Sequence, residues 1–88
     1  MLSDQKVRLI FGLKLKQLRH DRNLSLKELA EVCGISVSYL NEIEKGKKYP
    51  KSEKIVALAH ALEVPYDEMV SLKLGKTLAP VNELLNSE

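Results

Sequence analysis

Four neighbouring side chains, at positions 37, 38, 41 and 42, combine one apolar group with three that can form hydrogen bonds. Val37 offers methyl groups, Ser38 both donates and accepts, Asn41 presents a donor beside an acceptor, and Glu42 only accepts. Their spacing places them on one side of a helix. Base pairs expose matching groups in the DNA major groove: thymine methyl for Val37, adenine for Asn41, cytosine N4 for Glu42, and any base for Ser38.

The first of two short helices within residues 25–44 is marked by a capping pattern. Ser25 and Glu28 have the S-x-x-E spacing in which each side chain satisfies a free amide of the other residue. The pattern predicts a helix that begins at Leu26 and ends at Gly34, where the backbone is permissive. Three residues of this helix are predicted to face inward: Leu29, Ala30 and Cys33.

The second helix carries the four side chains described first. Ser36 is placed to cap it after a tight corner at residues 34–36, and the helix is predicted over about 37–45. Leu40 and Ile43 then point inward. Two helices joined by so short a turn form the helix-turn-helix arrangement, whose second helix is shaped to enter a DNA major groove.

A longer pattern runs through these two helices and is carried by Ala30, Gly34, Ile35, Ser36, Leu40, Ile43, Glu44, Gly46 and Pro50. It is preceded by F-G-x-x-L-x-x-L-R over residues 11–19 and followed by an L-x-x-x-A-x-x-L register over residues 55–62. In these patterns the chain resembles the Cro/C1-type helix-turn-helix family, the Xre family of bacterial and phage repressors, over about 11–72.

This resemblance implies an all-α fold, a compact five-helix bundle of the phage-repressor-like helix-turn-helix type. The helix-turn-helix domain would occupy residues 11–72, and residues 1–10 would extend its first helix. Residues 73–88 would form a C-terminal segment that serves as a linker or dimerisation piece. Two explanations of that segment compete: it swaps onto a partner subunit, or the sequence is the N-terminal piece of a longer protein, which we favour.

The resemblance also implies roles for individual residues. The family's base-contacting positions correspond to Val37, Ser38 and Glu42, with Asn41 beside them. An Arg19–Glu44 ion pair is implied across the fold.

The sequence departs from the family at the start of the second helix. A glutamine that reaches a phosphate is usual there, and this chain has Leu26. That contact is lost or shifted, either to Lys27 or to backbone amides at the helix start, which bind anions.

Charge is unevenly distributed, although the net charge is only +2. Residues 44–54 contain five lysines and two acids, whereas residues 55–72 contain three acids and neither lysine nor arginine. The lysines directly follow the candidate recognition helix, where phosphates would pass. The predicted phosphate contacts are Lys27, Tyr39, Lys45, Lys47 and Lys48.

Three further helices complete the predicted bundle. The first spans about Asp4–Arg22, the fourth begins at Ser52 or Pro50 and runs to about Glu63, and the fifth begins at Pro65. Leu9, Ile10 and Leu13 lie off the main apolar stripe of the first helix, and they pack either within the domain or against a second subunit. Residues predicted to be buried are Val7, Phe11, Leu15, Leu18, Ile55, Leu58, Ala59, Leu62, Met69, Val70 and Leu72.

The remaining residues argue against other function classes. A chain of 88 residues with 44% hydrophobic residues supports one core. His20 is expected in solvent and Cys33 in the core, and neither belongs to a metal-ligand cluster. No catalytic constellation, cofactor motif, signal peptide or membrane span is found, so a cytoplasmic protein without enzymatic activity or cofactor is expected.

The sequence therefore predicts sequence-specific binding of double-stranded DNA by a bacterial transcriptional regulator. A repressor acting as a homodimer is expected. The alternative is an antitoxin-like or bridging module that binds a protein partner through Leu9, Leu13 and the C-terminal segment.

Overall fold

The protein folds into helices joined by short turns, as described by a computed structural model for residues 3–71. No strand occurs in that range, and none of its helices is long and apolar enough to cross a membrane. The predicted all-α fold is confirmed. The helices are α1 (Asp4–Asp21), α2 (Leu26–Cys33), α3 (Val37–Glu44), α4 (Ser52–Leu62) and α5 (Tyr66–Val70).

Hydrogen bonds at the helix ends define the turn between α2 and α3. The predicted capping box is present: the Glu28 amide donates to Ser25 Oγ at 3.0 Å, and the Ser25 amide donates to Glu28 Oε1 at 2.8 Å. Gly34 ends α2 in the left-handed region, with φ of 68°. The Tyr39 amide donates to Ser36 Oγ at 3.1 Å, which starts α3. The corner is therefore fixed at both sides by local bonds.

The core lies between the inward faces of all five helices, as their apolar spacing predicts. α1 packs against α3 and α5, α2 packs against α3 and α4, and α4 packs against α5. α3 is thus supported from behind by α1 and α2. The residues of the main core cluster are Phe11, Leu15, Leu29, Ala30, Cys33, Leu40, Ile43, Ile55, Leu58, Ala59, Leu62 and Met69.

The second apolar face of α1 packs partly within the domain. Ile10 is only 1% exposed. Leu9 lies against Gly46, where an added Cβ would come within 2.5 Å of Leu9 Cδ2. Leu13 is half-buried. Packing within the domain therefore accounts for Ile10 and for the contact of Leu9.

The start of α5 differs from the prediction by one residue. Pro65 is the N-cap, with an extended ψ of 148°, and the helix begins at Tyr66. The Pro65 carbonyl accepts from the amides of Glu68 and Met69, both at 3.1 Å. The Pro65 carbonyl oxygen therefore accepts the first hydrogen bonds of α5. Leu72, predicted to pack against the core, lies outside the described residues.

A buried lysine joins α1 to the end of α5. Lys14 is only 6% exposed, and its Nζ donates to the carbonyl oxygens of Glu68 at 2.6 Å and Ser71 at 2.7 Å. Burial lowers the pKa of Lys14, although the nearby Glu68 carboxylate opposes that effect. The sequence does not predict a role for this lysine, because its partners are backbone atoms distant in sequence.

Gly12 allows α1 and α3 to approach closely. A Cβ at this position would lie 2.5 Å from the Ile43 carbonyl oxygen and 2.6 Å from the Glu44 carbonyl oxygen. These are backbone atoms, so no side-chain rotation relieves the clash. Glycine is required here by the space available between the two helices.

We predict that Gly12→Ala lowers the free energy of unfolding by about 3 kcal/mol, the upper part of the range for overpacked sites. The physical reason is that α3 must move away from α1 to admit the methyl group. Urea denaturation followed by circular dichroism measures the change.

Gly34→Ala is the matched control. Nothing lies within 4 Å of a Cβ at Gly34, so its cost is only that of the left-handed backbone, about 1 to 2 kcal/mol. A Gly12→Ala protein as stable as wild type, or no less stable than Gly34→Ala, would show that the helices are not tightly packed.

Candidate nucleic-acid interface

The outer face of α3 is open, whereas its inner face is buried. Leu40 and Ile43 are 0% exposed, and Val37 is 43% exposed. Ser38 is exposed, and Asn41 and Glu42 are partly exposed. The structure therefore places all four predicted base-reading residues on the outward side of a helix of eight residues, about 12 Å long, whose opposite side packs into the core.

Three of the predicted contact residues lie close together beside this face: Tyr39 and Glu42 on α3, and Lys48 on the loop that follows. Lys48 Nζ lies 3.3 Å from Glu42 Oε1 and 5.8 Å from the centroid of the Tyr39 ring. The ammonium is attracted both by the carboxylate and by the ring face. The sequence predicted Glu42 and Lys48 as contacts to different parts of DNA, and it did not predict their contact with each other.

The loop of residues 45–51 that follows α3, here called the lysine loop, is anchored to α1 by three contacts. Arg8 Nε donates to the Gly46 carbonyl oxygen at 3.3 Å, and Leu9 packs on Gly46. The Phe11 and Tyr49 rings are 5.0 Å apart between centroids. Partial desolvation, and then the nearby Tyr66, raise the pKa of Tyr49, although 41% of the residue remains exposed. The loop therefore has a fixed path along the end of α3.

The charged ends of the loop's lysines remain accessible. Lys45, Lys47 and Lys48 are exposed, and the Lys47 amide donates to the Glu42 carbonyl oxygen at 2.9 Å. Among the described residues, Lys45 and Lys47 make no ion pair, whereas Lys48 pairs with Glu42. The three lysines therefore differ in electrostatic environment although they are close in sequence.

The start of α2 presents one exposed cation. Lys27 is exposed, whereas Leu26 packs against the core as a partly buried residue. The amide of Glu28 is occupied by the cap, and the bonds from the Ser25 backbone and then its side chain lower the pKa of Glu28. Of the two predicted replacements for the missing glutamine, Lys27 is an exposed side chain that can reach outward.

A buried ion pair supports the C-terminal end of α3. Arg19 Nε donates to Glu44 Oε2 at 2.7 Å, and Arg19 Nη2 donates to Glu44 Oε1 at 3.0 Å. Arg19 is 7% exposed and Glu44 is 8% exposed. The implied ion pair is thus present with two-point geometry, which fixes orientation as well as distance.

The same guanidinium also holds the connector between α1 and α2. Arg19 Nη1 donates to the Leu24 carbonyl oxygen at 2.7 Å, and Nη2 lies 3.3 Å from His20 Nε2. His20 is exposed as predicted, but its contact with Arg19 was not predicted. One side chain therefore links the end of α1, the connector and the end of α3.

Neither a metal-binding group nor a reactive thiol is assembled in the described part of the chain. Within residues 3–71, no group of three or more His, Cys, Asp or Glu residues could hold a metal ion. Cys33 is buried, and this burial raises the pKa of its thiol, while Lys54 has the opposite effect. The thiol is therefore kept in its unreactive protonated form.

Comparison with known proteins gives one family and several similar regulators. A sequence profile described as helix-turn-helix matches residues 15–69. The chain is 39% identical over 61 residues to the HTH-type transcriptional repressor RghR of Bacillus subtilis (strain 168). That match covers 68% of this chain and 45% of the repressor, so this chain spans less than half of the repressor's length.

Two solved structures have similar folds. The clp gene regulator ClgR from Corynebacterium glutamicum has a TM-score of 0.74 at 30% identity, with 92% of this chain and 81% of that chain covered. The restriction-modification controller protein C.AhdI from Aeromonas hydrophila has a TM-score of 0.68 at 32% identity, with 70% and 94% covered. The predicted fold class is confirmed by these similarities.

We predict that removing one member of the buried ion pair is much more damaging than removing both. Arg19→Met should lower the free energy of unfolding by about 3 to 5 kcal/mol, because Glu44 is left as an unpaired buried charge. Combining Arg19→Met with Glu44→Leu should recover part of that loss. A double-mutant cycle measured by urea denaturation gives the coupling between the two residues.

The exposed pair of Glu42 and Lys48 is the matched control for this cycle. Their side chains are 41% and 54% exposed, and a surface pair of this kind contributes about 0 to 1 kcal/mol. Additive effects of the Arg19 and Glu44 substitutions, as small as those of the exposed pair, would contradict a bracing role for the buried pair.

Proposed function

This chain belongs to the Cro/C1-type helix-turn-helix family, and from that premise we propose that it binds double-stranded DNA sequence-specifically as part of a bacterial transcriptional regulator. α3 enters the major groove with its outer face toward the bases. The observation that carries this proposal is the open outer face of α3, which ends in exposed lysines while its inner face is buried and braced.

Base recognition is assigned to the outer face of α3. Val37 meets a thymine methyl, Asn41 pairs with adenine, and Glu42 accepts from cytosine N4. Ser38 both donates and accepts hydrogen bonds, so it can bond to a donor or an acceptor on any base. Each of these side chains is at least partly exposed, so each is accessible to base edges without a change in the core.

Phosphate binding is assigned to cations around that face. Lys45 and Lys47 lie at the C-terminal end of α3, and Lys27 lies at the start of α2. The Tyr39 hydroxyl completes the proposed set, and Lys48, which the sequence also predicts to bind phosphate, is already paired with Glu42. Phosphate contacts of this kind position the protein and add affinity without reading sequence.

Regulation follows from occupation of a promoter. RghR of B. subtilis is named a transcriptional repressor. We extend repression to this chain as a proposal, in which bound protein excludes RNA polymerase from the DNA. A regulator of this kind acts in the cytoplasm and needs neither a cofactor nor catalytic activity.

An antitoxin-like role is not favoured, because the similar proteins are named as regulators.

The proposed regulator acts as a homodimer on two-fold related half-sites. Helix-turn-helix dimers place their recognition helices one DNA turn apart, about 34 Å. Residues 73–88, which lie outside the described residues, are proposed as a linker or dimerisation piece. The same segment is also proposed to connect to a further domain or to bind a protein partner.

We predict that selection from a random duplex library enriches a defined sequence, with half-sites about 34 Å apart or a multiple of it. Combining Ser38→Ala with Glu42→Ala should lower discrimination at the bases they face by about 1 to 3 kcal/mol per lost contact. Sequencing of the selected pool and gel-shift titration measure both effects. A wild-type chain that enriches no sequence would overturn the proposal.

We also predict that Lys47→Met reduces the slope of log affinity against log salt by about 0.9, because one phosphate contact is lost. Titrations of the selected duplex at several salt concentrations measure the slope.

Lys16→Met is the control for this titration, since Lys16 is an exposed lysine on α1 outside the proposed interface. It carries the same loss of charge and should leave the slope unchanged. Equal reductions for Lys16→Met and Lys47→Met would mean that only the overall charge matters.

A further inference from the structure

A carboxylate on the open face of α3 is electrostatically unfavourable next to DNA. Glu42 is an anion among the proposed base readers, and duplex DNA carries a negative charge about every 1.7 Å along its axis. An unpaired carboxylate in this position would repel phosphates and would lose water when the interface closes. Glu42 therefore requires a compensating charge if it is to lie against base edges.

Lys48 supplies that charge through a contact already made in the free protein. Its Nζ lies 3.3 Å from Glu42 Oε1, which leaves the second carboxylate oxygen to accept another bond. The Tyr39 ring centroid is 5.8 Å from the same ammonium, so α3 itself provides the surface under the lysine. The backbone bond from the Lys47 amide to the Glu42 carbonyl oxygen, 2.9 Å long, keeps the loop close to Glu42.

We propose that Lys48 is a positioning residue for sequence readout: it holds the Glu42 carboxylate on the outer face of α3, so that Glu42 accepts a hydrogen bond from cytosine N4. This inference rests on the proposed function and deepens it. Lys48 thereby acts through Glu42 instead of making the phosphate contact predicted for it from the sequence, whereas Lys45 and Lys47 act on phosphates directly.

The strength of the pair depends on its surroundings. In water the contact is weak, because both groups are well solvated and screened. When α3 enters the groove, water is excluded, and the attraction between the two charges increases as the local dielectric falls. The pair then enters the interface as a neutral unit, and Lys48 makes little contribution to counterion release.

A competing arrangement has Lys48 leave Glu42 and bind a phosphate. The two arrangements differ in three observables: the coupling between residues 42 and 48, the salt slope, and the base preference at the position that Glu42 faces. In the competing arrangement Lys48 behaves like Lys47, and its removal weakens binding to every duplex equally.

The test is a double-mutant cycle measured on DNA. The wild type, Lys48→Met, Glu42→Gln and the double variant are titrated against the duplex selected by the wild type and against duplexes with each base pair changed. Lys48→Met should reduce discrimination for cytosine at one position by about tenfold, within the range for loss of one good base contact. In the Glu42→Gln background, the same Lys48 substitution should have little further effect.

Three controls separate positioning from plain charge. Lys48→Arg keeps a cation and should retain the cytosine preference. Lys47→Met should lower the salt slope by about 0.9, while Lys48→Met should lower it by clearly less. Urea denaturation should give nearly equal stabilities for the four proteins of the cycle, because both side chains are substantially exposed.

The outcomes distinguish this inference from the proposed function. If the wild type selects a duplex but Lys48→Met weakens all duplexes equally, with a slope change of about 0.9 and no coupling to Glu42, then Lys48 is only a phosphate ligand and the positioning role is overturned. If the wild type selects no duplex, the proposed function fails and the positioning role fails with it.

Discussion

The guanidinium of Arg19 and the carboxylate of Glu44 meet behind α3, and the position of that helix depends on their contact. Two bonds of 2.7 and 3.0 Å join them in a site where each residue is less than a tenth exposed. A third bond from Arg19 reaches the Leu24 carbonyl oxygen. Since a buried charge is costly without its partner, the arrangement tolerates little displacement of either helix end.

The same end of α3 is fixed by packing as well as by charge. Gly12 lets α1 approach the carbonyl groups of Ile43 and Glu44, and the contact of Leu9 with Gly46 continues this interface into the loop. The ion pair sets the direction of α3, and the glycine contact sets its distance from α1. The outer face is therefore held in place although none of the four base-reading side chains belongs to the core.

Local sequence patterns predicted the helices well because caps and apolar spacing act over a few residues. The Ser25 capping box, the Ser36 cap and the inward faces of α2, α3 and α4 all follow from such patterns. The ion pair was implied only by family resemblance, since no local rule joins residues 25 positions apart. Gly12 offered a usable signal, because glycine within a helix is unfavourable unless close packing requires it.

The contacts that the sequence did not predict depend on how separate elements approach one another. Lys14 binds backbone carbonyls at the end of α5, and Arg8 binds the carbonyl of Gly46. Such partners are invisible in side-chain patterns, because every residue has a carbonyl group. The Glu42–Lys48 contact is not evident from the sequence for a different reason: residue types alone predict that Glu42 faces a base and Lys48 a phosphate, not that they face each other. Which bases α3 meets also depends on the DNA, which lies outside the chain. Residue types therefore restrict only which chemical groups the contacted bases must present.

The separation of α3 into a braced inner face and an open outer face has an evolutionary consequence. Substitutions at Val37, Ser38 or Asn41 disturb few internal contacts, so new target preferences can arise while the scaffold keeps its stability. Glu42 is constrained differently, since its ion pair with Lys48 ties it to the loop. Diverging copies of this gene should therefore change those two codons together, and each of the other reading positions independently.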